Sequence, residues 1–181
     1  MNNEKEVSSV EKVYTTIKRK LRYNFGRDCL DSHIKVNYMM FLMQGYCLSR
    51  YSIIAFDDNI LVNLLGLNIT GTHPNLFAGD LYEYYELEEY QFEAIDVILN
   101  NISYIEEDEL KESVDNYPIV NEMFEIVKKR SGYEFLPYNE IDEGKMKEFF
   151  KAYFNKFTKE EVIHQWTTAE KERIPLKLTK N

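Results

Sequence analysis

The sequence predicts a mostly helical, single compact domain with one small β-hairpin near residues 53–63. Apolar residues recur at three- and four-residue spacings through most of the chain, the signature of amphipathic helices. Hydrophobic residues make up 44% and charged residues 29%, a balance that fits a globular core and not disorder. Only 7 glycines and 4 prolines occur in 181 residues, so few tight, strained turns are available and glycine-built dinucleotide or phosphate loops are disfavoured. The length suits one domain, read as residues 1–175 with a tail at 176–181.

The elements follow in order, about seven helices in all. Val7 to Phe25 carries Val10, Val13, Tyr14, Ile17 and Leu21 on one stripe, with Ser8 or Ser9 able to cap its start and Gly26 to end it. A helix from near Ser32 to Leu48 is apolar almost all round, so it belongs in the middle of the domain. Gly45 inside it costs about 1 kcal/mol of helix propensity, which implies a close crossing by another helix.

Ile53–Phe56 and Ile60–Val62 flank Asp57-Asp58-Asn59, a turn composition that reads as a hairpin. A helix over 59–67 competes for the same residues. Phe77 to Tyr85 fits a short helix or an ordered loop. Leu87 to Asn100 is helical, with Phe92, Ile95, Ile98 and Leu99 as its buried stripe. Ser103 and Glu106 have capping-box spacing before a short acidic helix to Val114. Pro118 opens the next helix, and Lys128, Lys129 and Arg130 close it where cations suit the dipole. Glu134–Tyr138 reads as a connector. Gly144–Phe154 is helical, with Met146, Phe149, Phe150 and Tyr153 facing inward, and Thr158 with Glu161 starts a last helix carrying Trp166.

Charge is distributed unevenly. Residues 71–120 hold 13 acids against one lysine, while residues 1–30 hold 7 bases against 4 acids, within a chain of formal net charge -9. The acidic total argues against a broad duplex-DNA binder, which needs a basic footprint. Two cysteines, Cys29 and Cys47, are too few for a disulfide scaffold. The N-terminus lacks an apolar signal segment and the longest apolar run, Tyr38–Met43, is far short of a membrane span, so a cytoplasmic protein with no membrane partner is expected.

The stretch Lys35–Leu48 is a hydrophobic helix carrying Phe41 and then Gln44-Gly45-Tyr46. The strand, acidic turn and strand of residues 53–62 follow, then Phe92–Leu99, Ser103, Glu109-Leu110 and Pro118. In that order, residues 10–130 resemble the Panacea family, also called the SocA-like antitoxin domain. The chain departs from the family pattern at Asn63-Leu64-Leu65-Gly66, where members carry Tyr-Gly-Pro-Val, and at Pro118-Ile119, where they carry Pro-aromatic. The resemblance implies a mostly helical domain with a small β element. It also implies a protein-binding inhibitor or adaptor, often an antitoxin or mobile-element product, without agreed catalytic residues.

The candidate binding residues are Tyr82, Glu83, Tyr84, Tyr85, Glu86, Glu89, Tyr90 and Glu93, where rigid aromatics alternate with acids. Tyrosine is a common interface anchor, and an acidic field steers a basic partner. The expected partner is therefore a basic toxin, nuclease or defence protein, and a homodimer is compatible. Direct nucleic-acid contact is not expected. If it occurred, it would use Lys12, Lys18, Arg19, Lys20, Arg22 and Arg27 of the basic first helix, as in a DNA-associated regulator. A small hydrolase is the third reading, but no nucleophile motif stands out. His33, His73 and His164 show no ligand spacing; a His33/His73/Asp80 site could arise only through the fold, so neither metal nor cofactor is expected. The acids of 106–109 read as helix-start residues and Cys47 as core.

Overall fold

The computed structural model describes residues 9–25, 33–72, 84–132 and 137–154, with the side chains of 24, 25, 153 and 154 excepted. Six helices and three short strands lie in these residues: α1 Ser9–Phe25, α2 His33–Arg50, β1 Ile60–Asn63, β2 Gly66–Ile69, α3 Glu89–Ile102, α4 Glu107–Asp115, α5 Pro118–Arg130, β3 Tyr138–Glu140 and α6 Glu143–Phe154. The expected last helix, Thr158–Trp166, and the tail lie outside the described residues, as do residues 77–83 of the expected Phe77–Tyr85 element.

Helix α2 occupies the centre because its sequence allows nothing else. Every residue from Lys35 to Leu48 is buried. Helices α1, α3, α4 and α6 and strand β2 all pack on it. Gly45 is where α6 crosses: a Cβ there would run into the Phe150 ring. Phe150 stands edge-on to Phe41 at 5.5 Å, and Tyr117 and Phe149 complete an aromatic cluster between α2, α5 and α6. Such edge-to-face rings are favoured by their quadrupoles.

The β element differs from the expected hairpin. Ile60–Asn63 is a strand, but its partner is Gly66–Ile69, in the register Ile60↔Ile69 to Asn63↔Gly66. The corner is Leu64-Leu65, with Asn63 Oδ1 accepting the Leu65 N–H at 2.8 Å and Gly66 at φ +120°. That left-handed angle favours glycine. The expected first strand, Ile53–Phe56, does not form.

Its backbone is claimed by side chains instead. Ala55 N–H donates to Gln44 Oε1 at 2.7 Å and Phe56 C=O accepts from Gln44 Nε2 at 3.3 Å. Ala55 C=O accepts from Gln91 Nε2 at 2.6 Å and Ile54 C=O from the Tyr90 hydroxyl at 3.0 Å. Asp57 N–H donates to Ser9 Oγ at 3.1 Å. Buried backbone groups must find partners, and here α1, α2 and α3 supply them in place of a neighbouring strand.

Of the connector expected at Glu134–Tyr138, residues 134–136 lie outside the described residues; Tyr138 opens strand β3, which pairs antiparallel with β1 and gives the order β2-β1-β3. Both outer strands have edge groups taken by side chains. The Tyr38 hydroxyl accepts Leu67 N–H at 3.1 Å, and Arg130 donates to Tyr138 C=O at 3.3 Å. Such contacts blunt a sheet edge.

The Ser103/Glu106 box does not form. Ser103 ends α3, its N–H bonded to Leu99 C=O, and Glu106 precedes α4 without a side-chain cap bond. Lys35, buried in α2, instead donates to Ser103 C=O at 2.8 Å and to Ile105 C=O. An ammonium there satisfies carbonyls at a helix end. A box of the same kind closes one helix earlier, where Gln91 Oε1 accepts Glu88 N–H at 2.8 Å.

Phe41, Leu42 and Tyr46 are core residues as the sequence predicts. Phe41→Ala is expected to cost about 3–5 kcal/mol in chemical denaturation, the usual penalty for emptying a buried aromatic site. A loss below about 1 kcal/mol would contradict its place in the core.

Candidate functional site

The acidic segment reaches α3 along an extended stretch, residues 84–88. Tyr84 is exposed, yet the Arg19 guanidinium of α1 lies over its ring at 3.9 Å. Tyr85 is half-buried, and Glu86, Glu88 and Glu89 are exposed. Tyr90 and Glu93 are half-buried on the α3 side that faces the end of α2. Tyr82 and Glu83 lie outside the described residues.

At the end of α2, Tyr46 and Tyr51 meet Glu93, and Tyr90 packs on the far side of Tyr51. The Tyr46 hydroxyl donates to Glu93 Oε1 at 3.3 Å, and the Tyr51 hydroxyl also bonds this carboxylate. The Tyr51 ring lies 6.1 Å from Tyr46 and 5.9 Å from Tyr90. Burial, then the bond to Glu93, pushes the Tyr51 phenol up. Burial likewise raises Tyr90, with Cys47, Glu88 and Asp57 adding to it. Tyr51 and Asp57 were not anticipated as members of this patch; both lie in a stretch whose sequence signals only a helix end and a turn.

Helix α4 carries further acids. Glu106, Asp108, Glu109 and Glu112 are exposed and Glu107 is half-buried. Acids in a first helical turn are favoured by the positive end of the dipole, which suits this run to the start of α4. The one lysine of residues 71–120, Lys111, is paired with Asp115 of the next turn. Asp96 is paired with Lys20 of α1.

The basic first helix presents no cationic stripe. Lys18 and Arg19 are buried, Lys12 and Lys20 half-buried, and Arg22 exposed, while Arg27 lies outside the described residues. Lys18 sits against the Tyr14 ring at 5.4 Å and Lys20 against Phe92 at 5.7 Å. These cations are spent on aromatic faces and carboxylates within the fold. Phosphate tracking needs several exposed cations together.

The motif residues Phe41, Gln44, Gly45 and Tyr46 are all interior. Gln44 is the polar clasp on residues 55–56, and only Tyr46 reaches the surface patch, through Glu93. His33 is half-buried, hydrogen-bonded to Tyr14 at 2.9 Å and Asn37 at 3.2 Å. His73, Asp80, His164 and Cys29 lie outside the described residues. Among the described residues no group of three His, Cys, Asp or Glu is placed to hold a metal ion, and no helix is long and apolar enough to cross a membrane. Compared with known proteins, the chain matches no family model, no curated protein and no solved structure.

Two expectations follow. Gln44→Leu removes the Gln44 partners of Ala55 N–H and Phe56 C=O and is expected to cost about 2–6 kcal/mol, since each buried orphan group costs about 1–3; denaturation midpoints that match the wild type would contradict the clasp. Burial, with Glu93 adding, pushes the Cys47 thiol from 9.0 up to about 12. In a Cys29→Ser background, Cys47 should therefore resist a disulfide reagent at pH 8 until the protein unfolds. The native state holds this proton more tightly than the unfolded chain, so the same group lowers stability as pH rises from 9.0 towards 12. Rapid modification of the folded protein at the rate of a free thiol would refute the buried placement.

Proposed function

We propose that the chain is a protein-binding inhibitor, antitoxin-like or anti-defence in kind, whose acidic, tyrosine-bearing face occupies a basic surface on a toxin, nuclease or defence protein. The observation that carries this reading is a set of exposed acids in α3, α4 and the residues that lead into them, none of which is ion-paired with a Lys or Arg among the described residues. Glu86, Glu88, Glu89, Glu106, Asp108, Glu109 and Glu112 are all exposed, and the only lysine of that stretch of sequence is already paired with Asp115. A field of one sign raises the rate of encounter with a partner of the other sign, and tyrosines add contact area at short range. The resemblance of residues 10–130 to antitoxin domains points to the same class, and a phage or mobile-element origin suits it. The rival reading, a DNA-associated regulator, is weakened by the inward placement of Lys18 and Arg19.

The test starts from affinity purification out of the native host and identification of the bound protein. Glu86→Lys, Glu89→Lys and Glu109→Lys combined should slow association about tenfold or more at low salt and flatten its salt dependence, with the fold intact. Arg22→Glu should leave that rate unchanged or faster. If the acidic-face variant associates at the wild-type rate at both low and high salt, the proposal is wrong.

A further inference from the structure

Strands β1 and β2 meet at a corner made of Leu64 and Leu65, and both leucines stand in water: Leu65 is 83% exposed and Leu64 46%. Turns ordinarily carry Gly, Asn, Asp, Ser or Pro, whose backbone or side chain shapes the bend. Here Asn63 and Gly66 supply that chemistry, so the bend itself does not require two leucines. Tyr138 of β3 pairs with Asn63 and is 59% exposed, which carries the apolar surface across the end of the sheet. Exposed apolar residues scattered singly are ordinary; three at one end of a sheet mark a contact surface.

Charges of opposite sign flank this end. On the β2 side, the Lys111 ammonium of α4 lies 2.9 Å from where a Cβ on Gly66 would stand. Asp108, one turn before Lys111, and Glu112, next to it, are exposed. On the β3 side, Arg130 at the end of α5 donates to Tyr138 C=O at 3.3 Å, and Lys128, Lys129 and Arg130 are all exposed. The order across the end is therefore acid, apolar, base. Laid face to face on a second copy about a two-fold axis, such a row meets its own complement. Leucines meet leucines, and the acids of each copy meet the bases of the other.

We infer that the Leu64-Leu65 corner, with Tyr138, is the centre of a two-fold contact between two copies of this chain. A surface of one charge fits the row only in part. An anionic lipid surface attracts Lys128, Lys129 and Arg130 but repels Asp108 and Glu112, and a basic protein does the reverse. A second copy satisfies both sides at once. The contact is independent of the acidic-face reading and shares only Asp108 and Glu112 with it. Its apolar centre is small, so the pairing is weak and concentration-dependent.

Sedimentation equilibrium of the full chain at low salt, from low to high micromolar concentration, tests the contact. The mass should rise from one chain towards two and stop there. Leu65→Asp, a surface change checked for fold by circular dichroism, should weaken pairing about tenfold or more. Two charge variants give a second test: Lys128→Glu with Lys129→Glu, and Asp108→Lys with Glu112→Lys. Each should weaken pairing alone, and an equal mixture should restore it, because the flanks of the mixed pair are again of opposite sign. A chain that stays monomeric throughout, or that grows past two copies, would overturn the inference. So would a Leu65→Asp variant that pairs like the wild type, or a mixture no tighter than either charge variant. A monomeric chain that sediments with phosphatidylserine vesicles would assign the corner to a lipid surface and overturn the two-fold contact.

Discussion

A helix that is apolar on every side has to be enclosed, and α2 imposes that demand on the whole molecule. Its residues from Lys35 to Leu48 are all buried, so α1, α3, α4, α6 and the sheet are arranged as its covering. The few polar groups inside that run then decide where particular segments go, because each needs a partner once it leaves water. Gln44 takes the backbone of residues 55–56, Lys35 takes the carbonyls that end α3, and Asn37 takes Thr72 beyond β2. Apolar burial supplies the driving force, and these three side chains give it direction.

The same logic separates what the sequence made legible from what it concealed. Helices α1, α2, α3, α5 and α6 were readable because their apolar spacing is sustained over several turns, whereas α4 was read from its acidic start and from Leu110 and Val114 alone. The crossing at Gly45 was readable because a glycine in a strongly apolar helix has few other uses. The hairpin was displaced because Ile53–Phe56 has strand composition but finds its hydrogen bonds on Gln44, Gln91 and Tyr90, up to 36 residues away. Local pattern cannot report a partner of that kind. Strand β3 has three residues, Tyr-Asn-Glu, with no inward apolar position to mark it.

The candidate site divides in the same way. Its acidity is a property of composition and was visible at once. Its internal order was not: Tyr51 joins Glu93 only because α2 ends beside α3, and α1 looked basic although Lys18 and Arg19 turn inward. Those two cations reach that position because rings on α1 and at the approach to α3 accept them. Among the described residues, Lys18, Arg19 and Lys20 near α3 are therefore taken up within the fold, while acids of α3 and α4 stay exposed. The proposed binding of a basic protein rests on that partition more than on the net charge of -9.

The central claim is that this face is the contact surface. Carboxylate footprinting of the chain, free and bound to the partner recovered from its native host, measures it directly. The account predicts that Glu86, Glu89, Glu93, Glu109 and Glu112 lose reactivity in the complex while the acids of α5 and α6, such as Glu122 and Glu143, keep theirs. Protection confined to α5 and α6, or reactivity unchanged along α3 and α4, would contradict it.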